Sequence, residues 1–103
     1  MRRRYVDTGF GQVHLRDSGG GVADSSPPLL CLHPIPYSGL FFDTITPLLS
    51  TERRVISPDY PGYGGSDVME SDAEVSRYAA AMLQALDSLG LEGSVDILSL
   101  IHI

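Results

Sequence analysis

The 103-residue sequence predicts an α/β fold, a β-hairpin followed by parallel strands with crossover helices, and three observations carry that prediction. Leu29-Leu30-Cys31-Leu32 is an unbroken apolar run between turn residues, the pattern of a strand covered on both faces, as in parallel sheets. Val75, Tyr78, Ala79, Met82, Leu86 and Leu89 recur at helical spacing and make one apolar stripe. Strand-like and helix-like segments alternate along the chain, which implies crossover connections.

Residues 5–8 and 12–17 read as the two arms of the hairpin around Gly9-Phe10-Gly11. Val13 and Leu15 alternate with His14 and Arg16, the period of a half-buried strand, so His14 is expected on the surface. Residues 19–28 are rich in Gly, Ser and Pro and read as a loop. After strand 29–32 and a turn at His33-Pro34-Ile35-Pro36, Leu40, Phe41, Ile45, Leu48 and Leu49 predict a helix over 39–49, with Ser38 as N-cap. Pro47 either kinks that helix or opens a second turn capped by Thr46. Strand 54–57 ends at Pro58. Ser71-Asp72-Ala73-Glu74 reads as a capping box opening a helix over 72–89, which Gly90 closes. A last strand spans 95–98. No repeat or interdomain linker interrupts the series, so residues 1–103 are expected to form one partial domain.

Composition narrows the function classes. Apolar residues make up 43% and charged residues 19%, an ordinary soluble composition. The net charge is −6, and all seven cations are arginines. An acidic body is a poor match for nucleic acid or anionic lipid, because phosphate binding needs clustered cations. Arg2, Arg3 and Arg4 are expected to be a solvated end of the chain. No apolar segment follows them as a signal peptide would require, and none approaches the roughly 20 residues that cross a bilayer, so a cytoplasmic location is expected. The single Cys31 sits in the apolar strand and is expected to be a buried thiol. No His/Cys/Asp/Glu cluster has metal-ligand spacing, and no cofactor is implied.

Ligands of open α/β sheets lie at the carboxyl ends of the strands. Two segments occupy such ends: His33-Pro34-Ile35-Pro36-Tyr37-Ser38-Gly39 and Asp59-Tyr60-Pro61-Gly62-Tyr63-Gly64-Gly65-Ser66-Asp67. Together they resemble the α/β-hydrolase superfamily, whose members follow the third strand with a His-Gly-x-Pro-like turn and the fourth with an Asp-x-Pro-Gly-x-Gly-x-Ser segment. The likeness runs over about residues 5–97. It implies the N-terminal portion of an α/β-hydrolase sheet.

The resemblance also implies roles. A backbone N–H of the first turn forms half of the family's oxyanion hole, and by position that donor is Ile35. Pro34 stands where glycine is commonest, and neither Pro34 nor Pro36 has an N–H to offer. His33 reads as a turn-ordering imidazole rather than a general base, because the family's catalytic histidine lies far downstream. Tyr37 lines a substrate pocket or packs; the residues leave both open. In the second segment Gly62 and Gly64 permit tight turns, while Asp59 and Asp67 are expected to hold the loop through local hydrogen bonds. No Gly-Lys-Ser/Thr follows the glycines, so they are not a phosphate loop. Gly64-Gly65-Ser66-Asp67-Val68 lacks the last glycine of a nucleophile elbow and follows the wrong strand, which argues against Ser66 as nucleophile.

The elbow itself, Gly-x-Ser-x-Gly, belongs after the strand that ends near residue 98. Here Ser99-Leu100-Ile101-His102-Ile103 fills both glycine positions with other residues and puts Ile101 at the nucleophile position. Ser99 lies two residues early. The hexapeptide Leu98-Ser99-Leu100-Ile101-His102-Ile103 is also what CTG-TCT-CTT-ATA-CAC-ATC encodes, the transposon end joined to DNA fragments in sequencing libraries. The native sequence is therefore expected to end near Ile97.

By resemblance the parent protein hydrolyses an ester, amide or lactone of a small molecule through a nucleophile, a histidine and an acid. This chain, lacking all three, is expected to be inactive. The alternatives are a dehalogenase or epoxide hydrolase with an aspartate nucleophile, or a non-catalytic ligand-binding member of the fold. The last strand would leave an apolar sheet edge open, so poor solubility is expected as well.

Overall fold

The computed structural model describes residues 2–19, 27–34, 38–51, 53–67, 75–91, 93 and 95–99. Five strands, β1 (Arg2–Thr8), β2 (Gly11–Asp17), β3 (Leu29–Leu32), β4 (Val55–Pro58) and β5 (Asp96–Ser99), form one mixed sheet in the order β1-β2-β4-β3-β5. The hairpin β1–β2 joins antiparallel to β4, with Leu15 opposite Pro58. The other strands are parallel, Leu29 pairing with Val55 on one side of β3 and with Asp96 on the other. The sheet is thus the hairpin plus parallel strands that the sequence predicts.

β1 starts at Arg2, so the three arginines are not a free end. Arg3 lies opposite Arg16 and Arg4 opposite Leu15 in the ladder. Their side chains remain exposed at the sheet's edge, where charge discourages pairing with another chain. Arg4 reaches the buried carboxylate of Asp17 at 3.4 Å. The hairpin turns at Gly9-Phe10, where the Thr8 hydroxyl donates to the Gly11 carbonyl at 2.7 Å and accepts from Phe10 N–H.

Each face of the sheet buries its own apolar cluster. On one face Val6, Val13, Leu15, Leu30 and Ile56 pack with Ala81, Met82, Ala85 and Leu86 of α2 (Val75–Ser88). The expected stripe is rotated on the real helix: Ala79 is exposed, and Ala81 and Ala85 take the buried seam, because small side chains let the backbone approach the strands. α2 closes at Gly90, with φ 73°, while Leu91 N–H donates to Leu86 C=O and Gly90 N–H to Asp87 C=O. The capping box at residues 71–74 lies outside the described residues.

On the opposite face Leu29, Cys31 and Val55 pack with Phe42, which has no exposed surface. Phe42 belongs to a 3₁₀ turn, Gly39–Phe42, begun by Ser38 accepting from Leu40 N–H. This turn and the short α1 (Thr46–Leu49) replace the single helix expected over 39–49. The cause is Pro47, which lacks an N–H and whose ring conflicts with the carbonyl four residues before it. Thr46 is no cap, since its hydroxyl donates to Phe42 C=O at 2.8 Å. No described helix is long and apolar enough to cross a membrane. Because Phe42 fills this second cluster, Phe42→Ala is expected to cost about 3–5 kcal/mol in urea denaturation.

Candidate active site

β3 and β4 run parallel, so the segments after them leave the sheet on the same edge. His33 follows β3 and Asp59 follows β4, and both are buried, at 2% and 1% exposure. They are built into one framework. The Tyr60 N–H donates to His33 Nε2 at 2.9 Å, so the ring proton sits on Nδ1, which donates to Pro34 C=O at 3.0 Å. With both nitrogens engaged, His33 has no lone pair left for a general base. Burial holds its pKa below the usual 6.5, against the opposing pull of the Pro34 carbonyl and Asp59. His33 also lies against Tyr60 (4.0 Å between centroids) and Tyr63 (5.8 Å), and Tyr78 of α2 stacks on Tyr60 at 5.5 Å.

Asp59 is the hub. Its Oδ1 accepts from Gly39 N–H at 2.6 Å, and its Oδ2 from His14 Nδ1 at 2.8 Å and Gly65 N–H at 2.9 Å. One carboxylate thus joins β2, the start of the 3₁₀ turn and its own loop. The close approach explains the local glycines. Gly64 has φ 53°, and a Cβ there would collide with Asp59 Oδ2; a Cβ on Gly39 would sit 2.5 Å from Ser57 C=O, and one on Gly65 2.9 Å from the His14 ring.

These contacts correct two readings of the sequence. His14 is not a surface residue: it is 1% exposed, and its Nε2 accepts from Arg3 Nε at 3.1 Å. Alternation failed there because the loop after β4 covers the strand face that periodicity assigns to solvent. Asp59 and Asp67 do not act only locally. Asp67 Oδ2 accepts from Gln12 N–H, and Asp67 N–H donates to Gln12 C=O, both at 2.9 Å, extending the hairpin's pairing 55 residues along the chain. Gly62, with φ 85°, closes the loop by donating its N–H to Asp67 C=O at 2.8 Å. Ser66 is a staple: its hydroxyl donates to Asp59 C=O at 2.7 Å and accepts from His14 N–H at 2.9 Å.

Ile35, Pro36 and Tyr37 lie outside the described residues, but both flanks of that segment are pinned. His33 and Pro34 are held from one side through Tyr60, and Gly39 from the other through Asp59. Ser99 is an exposed residue of β5 paired in register with Leu32. Cys31 is fully buried, and burial pushes its thiol above the ordinary value, with Ser57 pulling weakly the other way. Among the described residues no three His, Cys, Asp or Glu side chains are grouped to hold a metal.

Comparison with known proteins agrees with this geometry. No family model matches the chain. The haloalkane dehalogenase of Psychrobacter cryohalolentis is 36% identical over 83 residues, 78% of this chain and 26% of that protein. Haloalkane dehalogenase 2 of Mycobacterium bovis is 29% identical over 90 residues, 86% of this chain and 30% of that protein. Among solved structures, the N-acyl homoserine lactonase AidH complexed with N-butanoyl homoserine superposes with a TM-score of 0.77 at 28% identity, covering 94% of this chain and 35% of that one. The chain belongs to the α/β-hydrolase superfamily. It spans about a third or less of the length of these relatives, and its sheet matches the N-terminal portion of the α/β-hydrolase fold.

Two outcomes follow from the framework. Asp59→Ala strands the His14, Gly39 and Gly65 donors, so it is expected to cost about 3–5 kcal/mol in urea denaturation, with Asp59→Asn costing less. Because His33 is harder to protonate folded than unfolded, stability is full above pH 6.5 and falls as pH drops below it. The slope is at most about 1.4 kcal/mol per pH unit, and it is expected to vanish in His33→Gln when midpoints are compared between pH 7.5 and 5.

Proposed function

We propose that the parent protein is a hydrolase of small-molecule esters, amides or lactones, and that this chain supplies half of its oxyanion site. In this reading the Ile35 N–H, the only main-chain donor between Pro34 and Pro36, meets the negative charge that develops on the substrate oxygen. The observation that supports the reading is that both flanks of this segment are held, His33 by the Tyr60 N–H and Gly39 by Asp59. A donor stabilises a transition state most when its direction is set before the reaction, since no energy then goes into reorganisation. Pro34, fixed in φ, adds to that rigidity.

The attacking group, its histidine base and the acid are not furnished by the described residues. His14 and His33 have both ring nitrogens engaged, and Ser99 stands exposed on β5. The reading assigns the nucleophile to the turn that follows β5 in the parent, the small-molecule substrate to the space above the strand ends, and no cofactor. A second reading, carbon–halogen cleavage by an aspartate nucleophile, is favoured by the dehalogenase names of the relatives and uses the same framework.

The parent gene, read without interruption past codon 97, is expected to encode Ser between glycines; Asp there favours the second reading. In the parent, Ile35→Pro removes the donor and is expected to lower kcat about 10²–10³-fold on an activated ester, while Ile35→Ala retains most activity. The 103-residue chain alone is expected to leave that ester unhydrolysed, with or without Ser99→Ala. Turnover by the chain that disappears in Ser99→Ala would overturn the assignment.

A further inference from the structure

A second feature lies on the face of the sheet that carries Phe42. Arg3 of β1 and Arg16 of β2 are directly opposite in the ladder, an arrangement that costs energy unless an anion compensates both charges. Arg3 spends its Nε on the neutral acceptor His14 Nε2. Arg16, only 13% exposed, pairs through Nε with Asp43 Oδ1 at 3.2 Å. Its Nη1 is buried without a hydrogen-bond partner; Asp59 Oδ1 stands 3.7 Å away and is already committed to Gly39. This nitrogen has a charge partner but no hydrogen bond, so the Arg16 guanidinium is only partly satisfied within the chain.

The two arginines line a cleft of about 550 Å³, together with Ser18, Asp43, Leu40 and Pro47. That volume is in the range of small-molecule sites. Of the residues lining the cleft, two thus carry guanidinium groups and one a carboxylate, Asp43, whose side chain is 42% exposed. Ser18 adds a hydroxyl that accepts from Val55 N–H at 2.8 Å and keeps its own proton to donate. Leu40, 59% exposed, gives the cleft an apolar wall. Ser18 N–H also bonds Val55 C=O at the beginning of β4, which fixes that wall of the cleft.

We propose that this cleft binds a small organic carboxylate, its oxygens between Arg3 and Arg16 and its apolar body against Leu40 and Pro47. Asp43 occupies the place of that carboxylate in its absence. A carboxylate suits the site because a planar two-oxygen anion matches the guanidinium fork. A polyanion does not suit it, because the chain carries a net charge of −6.

The test is a titration of the 103-residue chain with butyrate, at ionic strength held constant by chloride, following the arginine Nε–H signals by NMR. Saturable shifts of Arg3 and Arg16 are expected, with butyrate binding more tightly than formate. Asp43→Asn removes the internal competitor and is expected to tighten butyrate about three- to fivefold, while Arg3→Gln weakens it by a similar factor. Both side chains are at the surface, so neither variant removes core packing. Shifts that rise linearly and equal those produced by chloride overturn the proposal. So does an affinity that Asp43→Asn leaves unchanged.

Discussion

One buried carboxylate organises this chain. Asp59 is removed from water almost completely, and an ionised carboxyl in that position is tolerated only when hydrogen-bond donors replace the lost hydration. Three donors from three separate segments do so: the His14 ring, the Gly39 amide and the Gly65 amide. Satisfying Asp59 therefore forces the hairpin, the turn after β3 and the loop after β4 into one arrangement. Gly39, Gly64 and Gly65 are consequences of that arrangement, because a side chain on any of them would fill space that Asp59, Ser57 or His14 already occupies. A single charge thereby substitutes for the apolar core that so short a loop does not possess.

The second tie is aromatic and works at the same edge. His33 is held by Tyr60 N–H and by its own neighbour's carbonyl, and it lies against Tyr60 and Tyr63, on which the α2 residue Tyr78 packs in turn. Helix packing and loop geometry are thus coupled through rings rather than through the backbone alone. The imidazole serves as a rigid spacer between β3 and the loop after β4, and its protonation would remove the acceptor on which Tyr60 depends.

The opposite end of the sheet is built on charge instead. Asp17 is buried, and although burial alone would raise its pKa, Arg54, the Gly19 amide and Arg4 outweigh that and hold it below the ordinary 3.8. Arg54 makes two contacts to the carboxylate, at 2.9 and 2.6 Å, clamping the end of β2 beside the start of β4. The arginines that the sequence reads as a solvated end are exposed yet part of the sheet, two of them serving buried acceptors.

Much of the architecture was legible because it depends on neighbours in sequence. The apolar run 29–32 marks a strand covered on both faces, Gly90 marks the end of α2, and the paired turn segments after β3 and β4 mark the superfamily. Local chemistry also showed that Pro47 would disturb a helix over 39–49, though not that the chain would divide into a 3₁₀ turn and α1. What the sequence by itself determined is therefore the succession of strands and helical segments along the chain and the edge at which the two motifs meet. Only the tertiary structure decided which polar residues are buried. His14 lies on the polar phase of its strand, 45 residues from Asp59, and nothing in the spacing of either announces their bond. Burial of a charge is a property of everything packed around it, and that surrounding is assembled from segments distant in the chain.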